Sequence, residues 1–183
     1  MRRLERAGLT AAAAATAIGV LIIGACSQQV SGTAQVNRSD LAAYTSDVTA
    51  SSIAASAART AAIERATDSA CDAFVAANGN SIRDFNAYIA LSNDKGPNDP
   101  EANGKADIAV GTLHDGAGAV DRKVTADVPS NIADVLHAYR DDSNALADTV
   151  ARRADTDTLN GTIDKFNATK NTALAACAGH GTR

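Results

Sequence analysis

The chain has 183 residues, 21 acidic and 17 basic, with three histidines and three cysteines, for a formal net charge of −4. A net-acidic chain repels phosphate backbones, so no nucleic-acid partner is expected, and adhesion to anionic lipid through a basic patch is disfavoured too. The length suits a single domain.

The N-terminus sets Arg2, Arg3 and Arg6 against one acid, Glu5, and follows them with nineteen uncharged residues from Ala7 to Ala25. A basic start before an apolar run is the pattern of an export signal. The run closes on Ile23, Gly24, Ala25 and Cys26: an aliphatic residue, two small ones and a cysteine. This stretch resembles the lipobox of bacterial lipoproteins. The resemblance implies that residues 1–25 are a signal peptide and are removed, that Cys26 receives a diacylglyceryl thioether and becomes the first mature residue, and that the membrane is a partner through that lipid. An uncleaved membrane helix and an ordinary signal with a chance cysteine are the alternatives. Alanine fills much of the first half of the run, and the strongly apolar part is only Ile18 to Ile23, short for a span. In all three cases the arginines stay inside and the remainder is exported. Leu4 and Glu5 after the arginine pair do not support a twin-arginine signal. The signal holds three basic residues and one acidic residue, so the remaining 158 residues carry 14 against 20, a net −6.

Residues 26–38 form a tether between lipid and domain: beyond the cysteine the run SQQVSGTAQVNR is polar, small and without helical apolar spacing. Such a segment has an end-to-end distance of about 20 Å. Together with the alanine, aspartate, threonine and arginine bias, CSQQVSGTAQ resembles small lipoproteins of actinobacteria, mycobacteria in particular. That resemblance implies a location in the cell envelope, on the outer face of the cytoplasmic membrane.

From residue 39 to 183 the pattern is helical. Ser39 is the expected N-cap of a first helix of about 38 residues, with Asp40 in its first turn and Leu41, Tyr44 and Val48 at spacings of three and four. Ala54, Ala55, Ala58, Ala62, Ala66 and Ala70 continue it and imply close approach to a neighbour, until Asn78 and Gly79 stop it. Ser81 is expected to cap a second, shorter helix with Ile82, Phe85, Ile89 and Leu91. Asn93 to Pro100 is a loop. A third helix spans about 101–125 with Ile108, Leu113 and Val120, weakened by Gly111, Gly116 and Gly118. Pro129 and Ser130 open a fourth with Ile132, Val135, Leu136, Tyr139, Leu146 and Val150. Thr156 or Thr158 opens a fifth with Leu159, Ile163, Phe166 and Leu174 inward, ending before Gly179. No run of alternating β-branched residues interrupts the series. The fold class is therefore all-α, an antiparallel bundle of about five helices with one long N-terminal helix.

With Cys26 assigned to lipid, Cys71 and Cys177 form an even pair in an exported domain and are expected to make one disulfide. Closing a loop of about a hundred residues stabilises by about 4 to 5 kcal/mol in the chain-entropy account. Their wide spacing and the lack of neighbouring histidines do not suit a redox or metal pair.

Two sets of residues have the chemistry of metal ligands. Asp99, Glu101, Asn103, Gly104 and Asp107 fall on positions one, three, five, six and nine of a calcium loop of the EF-hand type, but Val110 stands where the bidentate glutamate belongs, so an acidic helix start is expected instead. Asp134, His137 and Asp141 share a helical face, and His114 with Asp115 is the other candidate; His180 is near the C-terminus. Bundle metal sites need matching ligands from other helices, so a solvated polar face is expected and no metal or cofactor is assigned. No nucleophile motif or apolar carboxylate pair is present, so no catalytic residue is assigned and the protein is not expected to be an enzyme. The expected role is a non-catalytic interaction module docking an envelope protein or polymer. The alternative is a carrier holding a small apolar ligand between helices, beside Leu113, Val120, Leu136 and Tyr139, with the three glycines leaving room.

Overall fold

The computed structural model describes residues 37–181. The signal, Cys26 and all but the last two residues of the tether lie outside the described residues. The chain divides into two units at Asp47 and Val48.

In the first unit, the described residues 37–47 are helical from Arg38, and Asn37 rather than Ser39 is the cap. The Asn37 carboxamide oxygen accepts from the Ser39 backbone N–H at 3.1 Å and from the Ser39 hydroxyl at 2.6 Å. Asparagine is as good a cap as serine and stands two residues earlier, so the helix begins inside the expected tether.

The elements are four helices: α1 (Arg38–Lys95), α2 (Pro100–Lys123), α3 (Ser130–Ala151) and α4 (Thr156–Ala176). The described residues contain no strand, so the class is all-α, with four helices where about five were expected. The difference is the junction at Asn78–Gly79. Gly79 does not adopt the left-handed conformation of a helix stop, and the helix runs through it. Thr67, Cys71, Phe74, Ala77, Ser81 and Tyr88 are buried at intervals of three, four or seven, with half-buried Phe85 in the same register. Continuing that apolar stripe outweighs the roughly 1 kcal/mol that glycine costs in a helix interior. Ser81 therefore faces the core and caps nothing.

The other termini have chemical causes. Gly96, at φ 97°, ends α1, its N–H donating to the Ser92 carbonyl at 2.9 Å. Asp99 caps α2, its carboxylate accepting from the N–H groups of Glu101 at 2.8 Å and Ala102 at 3.2 Å, with Pro100 at the first helical position. Asp155 caps α4 through the Thr158 N–H at 3.0 Å, and the hydrogen bonds from Thr158 hold its carboxyl below the usual carboxylate range. The short connections make successive helices antiparallel neighbours.

The core is built in registers of three and four. α2 contributes Ala102, Ala106, Ala109, Leu113 and Val120, and α3 contributes Ile132, Leu136, Tyr139, Leu146 and Val150. Tyr139 sits at the centre, edge-on to Phe74 at 4.8 Å and tilted against Phe166 at 5.6 Å between ring centroids. Around this aromatic stack the contacts are small. An added Cβ at Gly116 would stand 3.1 Å from the Ala77 Cβ, so Gly116 lets α1 and α2 approach instead of leaving a space. Gly111 has nothing near it. Cys71 and Cys177 are bonded, with Cα atoms 5.5 Å apart, tying the middle of α1 to the end of α4. Five expected inward residues point elsewhere: Ile108 and Leu174 are exposed, and so are Ala54, Ala55 and Ala58. Ala173 and Cys177 occupy the inward positions beside Leu174.

Candidate functional site

A cavity of about 220 Å³ is lined by all four helices. α1 supplies Ser81, Ile82, Phe85 and Asn86, α2 Leu113, α3 Leu146, and α4 Ile163, Phe166, Asn167 and Lys170. Ser81, Leu113, Leu146 and Phe166 are buried and form its inner wall; Ile82, Phe85, Ile163, Asn167 and Lys170 are half-buried, and Asn86 is exposed at the rim. The walls are aliphatic and aromatic because the stripe residues of each helix converge there. Its polar lining runs from buried Ser81 to half-buried Asn167 and Lys170 and exposed Asn86.

At the inner end the Ser81 hydroxyl makes no hydrogen bond among the described residues, and neither do the buried hydroxyls of Tyr139 and Ser143. The three are nonetheless neighbours. Burial pushes the Tyr139 phenol above its ordinary value of 10, and the adjacent Ser143 and Ser81 hydroxyls offset part of that rise without reaching hydrogen-bonding geometry. At the outer end Lys170 donates to the Asn167 side-chain oxygen at 2.7 Å and stands 6.0 Å from the centre of the Phe166 ring. It forms no ion pair among the described residues.

A larger groove of about 460 Å³ runs over Ala73, Ala77, Gly116 and Ala119 between α1 and α2 and is open to solvent. Much of its polar edge is satisfied internally. Asp84 pairs with Arg83 at 2.9 Å and accepts from the Thr112 hydroxyl at 2.8 Å, and both hold its carboxyl below the ordinary range.

Most of the residues expected to carry chemistry are engaged in structure, whereas the side chains of Asp115, Asp134 and His137 make no hydrogen bond or ion pair among the described residues. Asp99 caps α2, Glu101 pairs with Lys95, and Arg153 donates to Asn103 at 2.8 Å and to Asp107 at 2.8 Å. A calcium loop needs these oxygens turned inward on irregular backbone, whereas here they lie at the start of a helix and along it and are used by its own N–H groups and by cationic side chains. Asp141 is paired with Arg140 at 2.8 Å, and Arg140 also holds Asp121. His114 contacts Asn144 at 2.9 Å and Asp148 at 3.5 Å, and His180 lies 3.5 Å from Asp68. Among the described residues no three His, Cys, Asp or Glu side chains gather as metal ligands. Of the four residues expected beside a ligand, only Leu113 lines the cavity; Val120, Leu136 and Tyr139 are packed in the solid core. Sequence reasoning missed Ser81 and Lys170. The available signal was a serine standing in core register between Phe74 and Tyr88.

A different surface lies toward the start of α1. Every residue from 48 to 60 is exposed, including Val48 at 47% and Ile53 at 64%. In the preceding unit Leu41 and Tyr44 are exposed as well. Among the described residues no helix is long and apolar enough to cross a membrane.

Comparison with known proteins places these features in a family. The family described as the Rv2240c four-helix bundle domain matches residues 53–178. An uncharacterized protein of Mycobacterium tuberculosis, MT2300, is 32% identical over 170 residues, covering 87% of this chain and 85% of the relative. Its source belongs to the group that the tether composition resembles. No solved structure matches.

Proposed function

This chain belongs to the family of the Rv2240c four-helix bundle domain, and we propose that it acts as a lipid-anchored, non-catalytic interaction module of the cell envelope. In this reading Cys26 carries the lipid, the outer face of the cytoplasmic membrane is the location, and the helical domain docks an envelope protein or polymer. The observation that carries the reading is the exposed run 48–60, where Val48 and Ile53 stand in solvent while the core stripe of α1 is taken up from Thr67 onward. Solvent-exposed aliphatic side chains beside many alanines and hydroxyls suit a surface completed by a partner. The lipobox-like sequence ending at Cys26 supports the address.

A photo-crosslinking residue introduced at position 53, with the exposed position 165 on α4 as control, tests the reading in intact cells. Adducts are expected from position 53 only, and Cys26→Ala is expected to abolish them by releasing the protein from the membrane or leaving it unprocessed. Equal labelling at both positions, or a mature N-terminus other than residue 26, would overturn it.

A further inference from the structure

We infer that the four-helix cavity is a binding site for a small monocarboxylic acid with a compact apolar body, its carboxylate held by Lys170 at the mouth and its far end reaching Ser81. This goes beyond the docking role, which concerns a different surface.

Size sets the first limit. At about 220 Å³ the cavity is larger than the roughly 150 Å³ that accommodates benzene in an engineered apolar core and smaller than the roughly 300 Å³ at which drug-sized pockets begin. The occupant therefore has on the order of ten non-hydrogen atoms. The body must be apolar, because Phe85, Leu113, Leu146, Ile163 and Phe166 form the walls and offer no hydrogen bonds from their side chains.

Charge sets the second. Lys170 is half-buried, and its ammonium is positioned by the Asn167 side chain and the edge of an apolar cavity. Arg83, Lys95, Arg140 and Arg153 are paired with carboxylates, whereas Lys170, like Lys105 and Lys165, has no such pair among the described residues, and of these cations Lys170 is the one that lines the cavity. A single ammonium with amide neighbours matches one carboxylate; a phosphate dianion would need more donors than this mouth provides. The third limit is Ser81, whose buried hydroxyl lines the inner wall without a hydrogen bond. A buried hydroxyl gains from a polar atom brought to it, so a ligand hydroxyl opposite the carboxylate is favoured. A hydroxyaryl alkanoic acid combines all three features.

The test titrates the full-length chain, with its disulfide oxidised, with 3-(4-hydroxyphenyl)propanoate, 3-phenylpropanoate and 3-phenylpropan-1-ol. Calorimetry gives affinity, and methyl resonances of Leu113, Leu146 and Ile163 report location. Both acids are expected to shift those methyls, with the alcohol at least about tenfold weaker and the hydroxylated acid the tightest. Lys170→Met is expected to weaken the acids about tenfold and leave the alcohol unchanged, Ser81→Ala to remove the preference for the phenol, and Ile163→Trp to abolish all binding by filling the mouth. Lys170→Met, at a half-buried position, keeps the test decisive should Ile163→Trp not fold. Methyls unmoved at millimolar acid, equal affinity for acid and alcohol, or acid binding indifferent to Lys170→Met would each overturn the assignment.

Discussion

Replacing Tyr139 by phenylalanine is expected to raise stability by about 1 kcal/mol, against the usual direction for removing a hydroxyl from a core. Tyr139 is fully buried, and its hydroxyl makes no hydrogen bond among the described residues. An unsatisfied buried polar group costs about 1 to 3 kcal/mol, and the nearby Ser81 and Ser143 dipoles reduce that to the low end. Phenylalanine preserves the ring contacts at 4.8 Å to Phe74 and 5.6 Å to Phe166, so little packing is lost in exchange. For a domain of this size the gain corresponds to a rise of about 2 to 4 °C in Tm, read by far-ultraviolet circular dichroism on heating. A pH dependence separates this cause from a packing change. Burial raises the folded-state phenol above the unfolded value of 10.0, so the native state holds its proton more tightly. That contribution is fully present below pH about 10 and is lost as pH rises toward the folded value. The phenylalanine variant has no such loss, and its advantage is expected to widen above pH about 10. A destabilisation of more than about 1 kcal/mol at neutral pH, or parallel alkaline curves, would refute the reasoning.

Two further outcomes follow from the bonded cysteines and the α2 cap. Cys71→Ala with Cys177→Ala opens a loop of sequence separation 106 and is expected to cost about 4.7 kcal/mol, read from urea midpoints; a loss below about 1 kcal/mol would show that the bridge constrains little. Asp99→Ala removes the acceptor of two N–H groups and is expected to cost about 1 kcal/mol in the same assay, whereas Asp99→Asn retains most of the cap.

The sequence was most legible where apolar spacing and end signals agreed. Ile132, Leu136, Tyr139, Leu146 and Val150 announce α3, and they are its buried face. The disulfide was legible from parity once one cysteine was assigned to lipid. Burial on the alanine-rich part of α1 was not legible, because alanine favours helix in water and in a core alike: Ala70 and Ala77 are buried, Ala54 and Ala55 exposed. The same ambiguity misplaced Leu174, where Ala173 and Cys177 take the inward positions. The cavity was hidden for a related reason. Its polar lining includes a serine and a lysine, residue types that occur at caps and on surfaces by default, and only the burial of their neighbours marks them out.

Gly79 is the residue on which the expected five helices and the observed four diverge, and Gly79→Ala decides between them by the sign of its effect. Were Gly79 a helix stop in the left-handed conformation, a Cβ would be strained there and alanine would destabilise the domain by about 1 kcal/mol. In the structure its φ is not positive, it lies inside α1, and an added Cβ meets nothing within 4 Å. Alanine then gains helix propensity of about 1 kcal/mol at no steric cost. The continuous helix also fixes the face on which Ser81 falls: in register with Cys71 and Phe74 on one side and Tyr88 on the other, it is directed into the core. A break at 79 would free that register and return Ser81 to a capping role. Stabilisation of Gly79→Ala in urea denaturation therefore supports the uninterrupted α1 and the inner wall of the cavity together, and destabilisation would remove both.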